Sequence, residues 1–287
     1  MRQLFTWGIL LLSTITQAQI NLDSVFASPV DTVLLVDKAN LLASDPEGNL
    51  YTLDSESSML TKYFVLQHYD SSLSIGGRSQ RAEGLIHPLA FQIKNRQRLY
   101  VLDDVSRTIS LFNTNLKPIN QLDLSLSADG ELFPLDMTVT PAEEIFVLNQ
   151  QDNLVYKYST LTQPGLTFGG LDYGEGALFD PVSIKTDNTN LVYIWDISEA
   201  KVKIYDIYGI YRSAVDVPWA EDWNGFEVLE NHLFFWKEQT LRMIYLRDNT
   251  MREISLPQIQ EIQDVDADRN FFYVLSPQAI RLYQISN

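Results

Sequence analysis

Short apolar runs separated by polar or glycine-containing turns repeat along most of the chain. The clearest copy extends from Phe168 to Gly209, where three apolar segments alternate with turns. Its second segment, Leu191 to Trp195, carries an aromatic residue, and five other apolar runs share this feature. The aromatic residues that mark the six runs are Tyr51, Tyr100, Phe146, Tyr193, Phe234 and Tyr273. They lie about 40–50 residues apart, and for short strands this period is typical of a β-propeller.

Two further sets of apolar segments keep the same period, so each copy contains at least three antiparallel strands. The segments that come first, which we place nearest the axis, are Leu41 to Ser44, Leu89 to Ile93, Leu135 to Val139, Val182 to Lys185, Phe226 to Leu229 and Ile262 to Asp266. The segments that come third are Leu60 to Leu66, Thr108 to Phe112, Leu154 to Tyr158, Val202 to Asp206, Leu241 to Leu246 and Ile280 to Ile285.

The sixth copy ends without an outer strand. The apolar segment Thr32 to Val36 precedes the first copy, and we expect it to supply the missing strand. Such closure removes an exposed sheet edge, which would otherwise invite aggregation. The sequence therefore predicts an all-β fold, a six-bladed β-propeller over residues 31–287 that is closed by an N-terminal strand joining the last blade.

Two copies share a pattern of glycines and a proline before the second strand. Gly76-Gly77, Gly84 and Pro88 precede Leu99 to Asp103, and Gly169-Gly170, Gly174, Gly176 and Pro181 precede Val192 to Asp196. In these features the chain resembles the NHL-repeat family of six-bladed propellers. The resemblance covers nearly all of the predicted propeller and implies a scaffold. Because one fold hosts many functions, it implies no particular chemistry.

The first 18 residues have the pattern of a secretory signal peptide. Arg2 supplies a positive start, Leu4 to Ile15 is an apolar core too short to span a bilayer, and Thr16 and Ala18 are small residues at cleavage spacing. Residues 19–30 form a leader. The chain has no cysteine, so it has no disulfide and no lipid-modified cysteine. We expect secretion across an inner membrane to the periplasm or to an outer-membrane-associated location, with no integral membrane segment.

The balance of charge is strongly acidic. The 37 Asp and Glu residues outnumber the 21 Lys and Arg residues, for a formal net charge of −16. Nucleic-acid binding depends on cationic contacts to phosphate, so nucleic acid is excluded as a partner. Adsorption to anionic lipid is disfavoured for the same reason. The charge is compatible with a calcium ion or a basic partner.

Polar residues recur directly after the second strand in four copies, at Asp54, Asp103, Asn149 and Asp196. Asp and Asn commonly hydrogen-bond backbone groups in tight turns. One such residue per blade would stand too far from the others to share an ion. We interpret the set as structural.

Two links between copies are candidate binding surfaces. The first contains Arg78 and Arg81, a small basic island that would meet a carboxylate on a ligand or pair with acids of its own chain. The second contains Trp219, Asp222 and Trp223. Aromatic side chains flanked by acids can grip a sugar or a peptide, whereas in the alternative reading the two tryptophans plug the space between blades.

A metal hypothesis rests on acids of the innermost strands, namely Asp136, Glu227, Asp264 and Asp266. Asp264 and Asp266 project to one side of their strand, and like charges near an axis need a cation or hydrogen-bond donors. The three histidines, His68, His87 and His232, show no ligand spacing, and no Gly-x-Ser-x-Gly motif is present.

The sequence thus favours a secreted, non-enzymatic binding or scaffold propeller. It would present a face of loops to a protein, peptide or glycan partner, with no cofactor required. The alternative is a calcium-dependent, lactonase-like propeller hydrolase with an axial metal site.

Overall fold

A computed structural model describes residues 29–36, 38–78, 84–94, 98–126, 132–159, 164–171, 174–229, 231–268 and 271–284. The predicted signal peptide, most of the predicted leader and Arg81 lie outside these ranges. Within them the regular structure is β-strand, apart from the two short 3-10 turns Val65–Gln67 and Leu124–Leu126. No helix of the described part is long and apolar enough to cross a membrane.

The described strands form six antiparallel sheets of four strands each. Blade 1 contains β2 (Leu41–Ser44), β3 (Leu50–Asp54), β4 (Met59–Tyr63) and β5 (Ser72–Gly76). Blade 2 contains β6 (Pro88–Lys94), β7 (Arg98–Asp103), β8 (Thr108–Asn113) and β9 (Pro118–Asp123). Blade 3 contains β10 (Pro134–Val139), β11 (Ile145–Asn149), β12 (Leu154–Tyr158) and β13 (Leu166–Gly169). Blade 4 contains β14 (Pro181–Thr186), β15 (Leu191–Asp196), β16 (Lys201–Asp206) and β17 (Tyr211–Asp216). Blade 5 contains β18 (Gly225–Leu229), β19 (His232–Lys237), β20 (Thr240–Tyr245) and β21 (Thr250–Ser255).

Blade 6 closes the ring as the sequence predicts. It contains β22 (Asp264–Asp268), β23 (Phe271–Ser276) and β24 (Ala279–Gln284), and β1 (Pro29–Leu35) pairs with β24 as its outer strand. The register places Leu34 opposite Ile280 and Leu35 opposite Ala279. The closing strand begins at Pro29, two residues before the predicted start of the propeller. The prediction of a six-bladed β-propeller is confirmed.

The hydrophobic core lies between neighbouring blades. The middle strands of a blade are buried on both faces, because each face packs against the adjacent sheet. This explains why their sequences are continuously apolar rather than alternating, as in Leu99 to Leu102, which are all at most 1% exposed. Between blades 4 and 5, for example, Trp195 and Val202 pack with Phe226 and Phe235. The stacked blades leave the six innermost strands, β2, β6, β10, β14, β18 and β22, around a common axis.

The polar residues after the second strand are structural in all four cases, since each accepts hydrogen bonds from backbone N–H groups. Asp103 Oδ2 accepts hydrogen bonds from the backbone N–H groups of Ile86 (2.6 Å) and His87 (2.8 Å), in the link that enters its own blade. Asp196 accepts from Phe179 N (2.7 Å) in the same way, and Asn149 accepts from Phe133 N (2.6 Å). Each of these side chains fixes the link that enters its own blade. Asp54 instead caps its own turn.

Buried lysines hold neighbouring blades together, although no local pattern in the sequence distinguishes them from other lysines. Lys157 of β12 donates from Nζ to the carbonyl of Ile207 in blade 4 (2.8 Å) and pairs with Glu144 (2.8 Å). Lys62 of β4 makes the equivalent bond to Thr114 O in blade 2 (2.9 Å). Burial lowers the pKa of Lys62, although Asp45 opposes the shift.

Candidate ligand-binding channel

A channel of about 450 Å³ follows the propeller axis. The links between blades lie at one end of the innermost strands, and we call this end the link face. The channel wall includes Ile197, Trp223 and Asn224 at the link face and Asp187 and Asn188 at the other end. Because side chains alternate along a strand, every second residue of an innermost strand points to the axis.

All four acids of the metal hypothesis line this channel, as their positions on innermost strands predict. They are Asp136, Glu227, Asp264 and Asp266. Lys185 of β14, which no pattern in the sequence singles out, brings a cation to this group of acids. Its ammonium lies 3.9 Å from Glu227 Oε2, and the two side chains are 20% and 23% exposed. Burial alone would lower the pKa of Lys185, but the four carboxylates outweigh it and raise that pKa, so Lys185 stays charged.

Three of the four carboxylates also hold neighbouring blades together. Asp264 Oδ2 accepts from Leu42 N (2.7 Å), and Asp266 Oδ2 accepts from Ser44 N (2.7 Å), both on β2. Asp136 Oδ2 accepts from Ile184 N (2.9 Å) and from the hydroxyl of Ser183 (2.6 Å), both on β14. These bonds explain how like charges can gather near the axis, because each carboxylate is stabilised by donors from the next blade.

The structure describes how the axial acids are arranged. Among the described residues no group of three or more His, Asp or Glu side chains is arranged to hold one. Burial raises the pKa of Asp264 to about 7, against the lowering effects of Lys185 and the Leu42 N–H, so this carboxyl is partly protonated near neutral pH. The calcium assignment of Asp136, Glu227, Asp264 and Asp266 stays a prediction.

The wall of the channel also contains large aromatic side chains. Trp195, Trp223, Phe226 and Trp236 all line it, and Trp195 and Trp236 are each only 4% exposed. Trp236 donates from Nε1 to the carbonyl of Gln263 (3.2 Å). The Nε1 of Trp195 and the Oε1 of Gln263 are buried and have no hydrogen-bond partner. Acidic, aromatic and unpartnered polar groups therefore share one cavity.

The tryptophan link packs against its own chain. Trp219 and Trp223 are half-buried beside the core between blades 4 and 5, and their ring centroids are 5.0 Å apart. The guanidinium of Arg242 lies 4.1 Å from the centroid of Trp219 and 4.6 Å from that of Trp223. Asp222 forms an ion pair with Lys237. These contacts are those of an interblade plug, and of the two tryptophans only Trp223 also lines the channel.

The predicted partner-binding residues do not form one cluster. Arg78 is exposed and donates to the backbone carbonyl of Glu56 (3.0 Å), in the link between blades 1 and 2. Trp219, Asp222 and Trp223 belong to the link between blades 4 and 5, on the opposite side of the ring. A single small ligand would not contact both links. Their role in partner binding stays a prediction.

Solved structures with a similar backbone support the assignment of a propeller fold. No family model matches the chain, and no curated protein matches it in sequence. Virginiamycin B lyase from Staphylococcus aureus has a similar structure, with 12% identity and a TM-score of 0.58 over 85% of this chain and 79% of the lyase. A catalytically inactive form of that lyase with quinupristin gives 11% identity and a TM-score of 0.61, over 87% of this chain and 81% of the other. A streptogramin B lyase structure gives 13% identity and a TM-score of 0.59, over 85% and 78%. These likenesses support a propeller family, whereas membership of the NHL-repeat family stays a prediction.

Proposed function

We propose that this protein is a non-enzymatic binding propeller that presents its link face to a protein, peptide or glycan partner and accepts part of that partner in the axial channel. The observation that carries the proposal is the channel itself. A cavity of about 450 Å³ with aromatic walls and a few convergent polar groups is the usual form of a ligand site. The predicted signal peptide would bring the protein to the periplasm or to an outer-membrane-associated location, and the resemblance to NHL repeats agrees with a scaffold role.

The chemistry of the channel favours binding over catalysis. Asp136, Asp264 and Asp266 use carboxylate oxygens to hold adjacent blades, and Lys185 is held in its charged form. A charged lysine is a poor nucleophile and a poor base. None of the three histidines lines the channel. The similar solved structures are lyases, but identities of 11–13% support the fold alone.

The proposal is tested by screening the purified protein against glycan and peptide arrays. We expect at least one ligand class to bind, and we expect Trp223→Ala to abolish that binding, since Trp223 lines the channel at the link face. The matched control is Leu66→Ala, because Leu66 is 93% exposed in the turn between the outer strands of blade 1. Circular dichroism establishes that both variants are folded. Absence of any ligand, or equal loss in both variants, would overturn the proposal.

The calcium-dependent hydrolase is the second candidate, and the convergence of four carboxylates is the observation that favours it. A calcium ion bound only to the native state would raise the thermal midpoint, and a chelator would reverse the increase. Under the binding proposal calcium leaves the midpoint unchanged. A calcium-dependent shift that is lost in Glu227→Gln, together with lactone hydrolysis, would establish the hydrolase instead.

A further inference from the structure

We propose that the group which the axial channel accepts is a primary ammonium that carries hydrogen-bond acceptors beside it, such as an amino sugar or the amino terminus of a peptide. The inference rests on the proposed function and specifies the chemistry of its ligand. Three independent features of the channel support it: its charge, its aromatic wall and its unpartnered polar atoms.

The charge of the channel is not balanced by the protein. Asp136, Glu227, Asp264 and Asp266 line the channel together with one ammonium, that of Lys185, and the acids outnumber it even though Asp264 is partly protonated near neutral pH. Backbone N–H groups stabilise the carboxylates but carry no full charge, so the field along the axis remains negative where low-dielectric walls focus it. A cationic ligand is therefore attracted into the channel, and an anionic one is repelled.

Glu227 is the carboxylate best placed to receive the ligand. Its Oε1 accepts the N–H of its own neighbour Val228 (2.9 Å), and its Oε2 lies 3.9 Å from Lys185, which is longer than a hydrogen bond. Its side chain is 23% exposed, so it is accessible within the channel. An ionised carboxylate has about four lone-pair positions, and Glu227 therefore has capacity for a further donor.

The aromatic wall provides a second attraction for a cation. Ammonium and guanidinium groups are attracted to the faces of aromatic rings, most strongly to tryptophan. The chain already uses this contact next to the channel, where Arg242 lies over Trp219 and Trp223. Trp195, Trp223 and Trp236 line the channel, so aromatic rings stand close to a cation that enters it.

The unpartnered polar atoms point to a ligand with both donors and acceptors. Three buried polar side-chain atoms of the described residues lack a hydrogen bond, namely Trp195 Nε1, Glu199 Oε2 and Gln263 Oε1. Glu199 Oε2 forms an ion pair with Lys203, so the other two remain, and both residues line the channel. Gln263 Oε1 requires a donor, such as an ammonium N–H. Trp195 Nε1 requires an acceptor, such as a hydroxyl or carbonyl oxygen.

A buried polar atom without a hydrogen-bond partner costs free energy. Water or a ligand that enters the channel must therefore provide the missing partners. Trp195 is 4% exposed, and its Nε1 is itself buried. Admission of an acceptor therefore requires a small movement of the indole. An ammonium fits the channel better than a divalent cation does. Calcium takes six to eight oxygen ligands, and the described acids are not arranged to provide them, whereas an ammonium needs only three acceptors.

The test uses two pairs of ligands. One member of each pair carries an ammonium group, and in the other member this group is replaced by a hydroxyl or neutralised by acetylation. Isothermal titration calorimetry compares D-glucosamine with D-glucose, and alanyl-alanine amide with its N-acetylated form. Tryptophan fluorescence is followed in parallel, because three tryptophans line the channel. We expect at least one ammonium compound to bind and its neutral partner not to bind. The pair that responds distinguishes an amino sugar from a peptide amino terminus.

Variants locate the binding. Glu227→Gln is expected to weaken it about tenfold or more, the effect of losing one charge-assisted hydrogen bond. Glu47→Gln removes the same charge from an exposed position in the turn after β2, and it should leave binding unchanged. Equal effects of the two substitutions would mean that the ammonium is attracted only by the general acidity of the protein. That outcome, or equal binding of charged and neutral partners, would overturn the inference.

Failure of this inference is distinguishable from failure of the proposed function. If neither ammonium compound binds, but an array ligand binds and depends on Trp223, the channel is a binding site for another chemical class. If no array ligand binds either, the proposed function itself fails. The comparison of charged with neutral ligands needs only the natural protein, so it decides the inference even if Glu227→Gln does not fold.

Discussion

Asp264 of the last blade accepts a hydrogen bond at 2.7 Å from the backbone N–H of Leu42 in the first blade, across 222 residues of sequence. Two residues further along β22, Asp266 accepts from Ser44 N in the same way. Blade 6 is thus joined to blade 1 at the axis, while β1 joins N-terminal chain to β24 at the rim. The ring is therefore closed twice, by hydrogen bonds between β22 and β2 near the axis and by the pairing of β1 with β24 at the outer edge. Each set of contacts restricts the movement of the blades that the other set joins.

Removal of the Asp266 carboxylate should weaken this inner closure. Asp266→Ala leaves the N–H and the hydroxyl of Ser44 without their acceptor. We expect the free energy of unfolding to fall by about 1–3 kcal/mol, as for the loss of a buried acceptor. Urea denaturation measures the change. Asp216→Ala, at an exposed position of β17, is the control and should be nearly neutral. An increase in stability for Asp266→Ala would instead mean that repulsion among the axial acids dominates.

The stability of the protein should depend on pH through Asp264. Its pKa is raised by burial to about 7, against an ordinary value of 3.8, while Lys185 and the Leu42 N–H lower it and Glu227 raises it. The folded state therefore holds a proton between about pH 4 and pH 7 that the unfolded state has lost. This contribution to stability is present at low pH and is lost as the pH rises through 7.

Asp264→Asn isolates this effect, because asparagine does not titrate. We expect the stability of the natural protein relative to that of the variant to decrease between about pH 4.5 and about pH 7.5. Asp206 has a lowered pKa, since its bonds with Ile210 N, Arg212 and Tyr208 N outweigh burial, and it acts in the opposite direction. Its contribution is common to both proteins and cancels in the difference. Parallel pH profiles for the two proteins would show that Asp264 ionises normally.

The packing of Trp219 predicts a loss of stability on truncation. Its ring contacts Phe235 at a centroid distance of 5.2 Å and covers the Arg242 guanidinium. Trp219→Ala should lower the free energy of unfolding by about 3 kcal/mol, as for a large side chain removed from a core. Leu171→Ala is the control, since Leu171 is 65% exposed. Full stability of Trp219→Ala combined with loss of a partner would instead assign Trp219 to the binding surface.

The buried lysine of blade 3 offers a test of the contact between blades. Lys157→Met keeps the apolar stem but leaves Ile207 O and Glu144 without the ammonium. Breaking a buried ion pair and hydrogen bond should cost about 2 kcal/mol in thermal or urea unfolding. Lys117→Met changes an exposed lysine and should have little effect. If both substitutions leave the free energy of unfolding unchanged, only the apolar stem of Lys157 contributes to stability, and its ammonium does not.

Gly209 should tolerate no side chain. Its φ is +73°, and an added Cβ would lie 2.7 Å from Cγ of Phe168, whose ring is buried. Gly209→Ala should destabilise the protein by about 1–3 kcal/mol through strain and overpacking. Gly77→Ala has a similar φ of +82° with open space around the Cβ, so it measures the backbone cost alone. Equal losses for the two variants would show that Phe168 moves aside freely.

The regular period of the sequence was sufficient to predict the fold. Apolar segments marked by Tyr51, Tyr100 and their counterparts specify middle strands, and the position of Thr32 to Val36 specified the closing strand, which forms as Pro29–Leu35. Local chemistry was equally informative at Asp103 and Asp196, since both carboxylates accept backbone N–H groups of the link that enters their own blade. The convergence of Asp136 and Glu227 also followed from their positions on innermost strands, because strand alternation and ring closure together bring such residues to the axis.

Contacts between blades were decided by the tertiary structure. Nothing in the local sequence distinguishes Lys185 from other lysines, and its role depends on four carboxylates that three other blades supply. Two strands, β18 and β19, separate Trp219 from Arg242 in the sequence. The packing of β20 against the link between blades 4 and 5 brings the Arg242 guanidinium over the tryptophan rings. Nothing in the local sequence marks Trp195 or Gln263. The closed ring places both residues in the wall of one channel, where Trp195 Nε1 and Gln263 Oε1 have no hydrogen-bond partner. The sequence by itself determined which strands form, since strand patterns are local. The tertiary structure decided which side chains meet, since such contacts depend on the relative positions of whole blades.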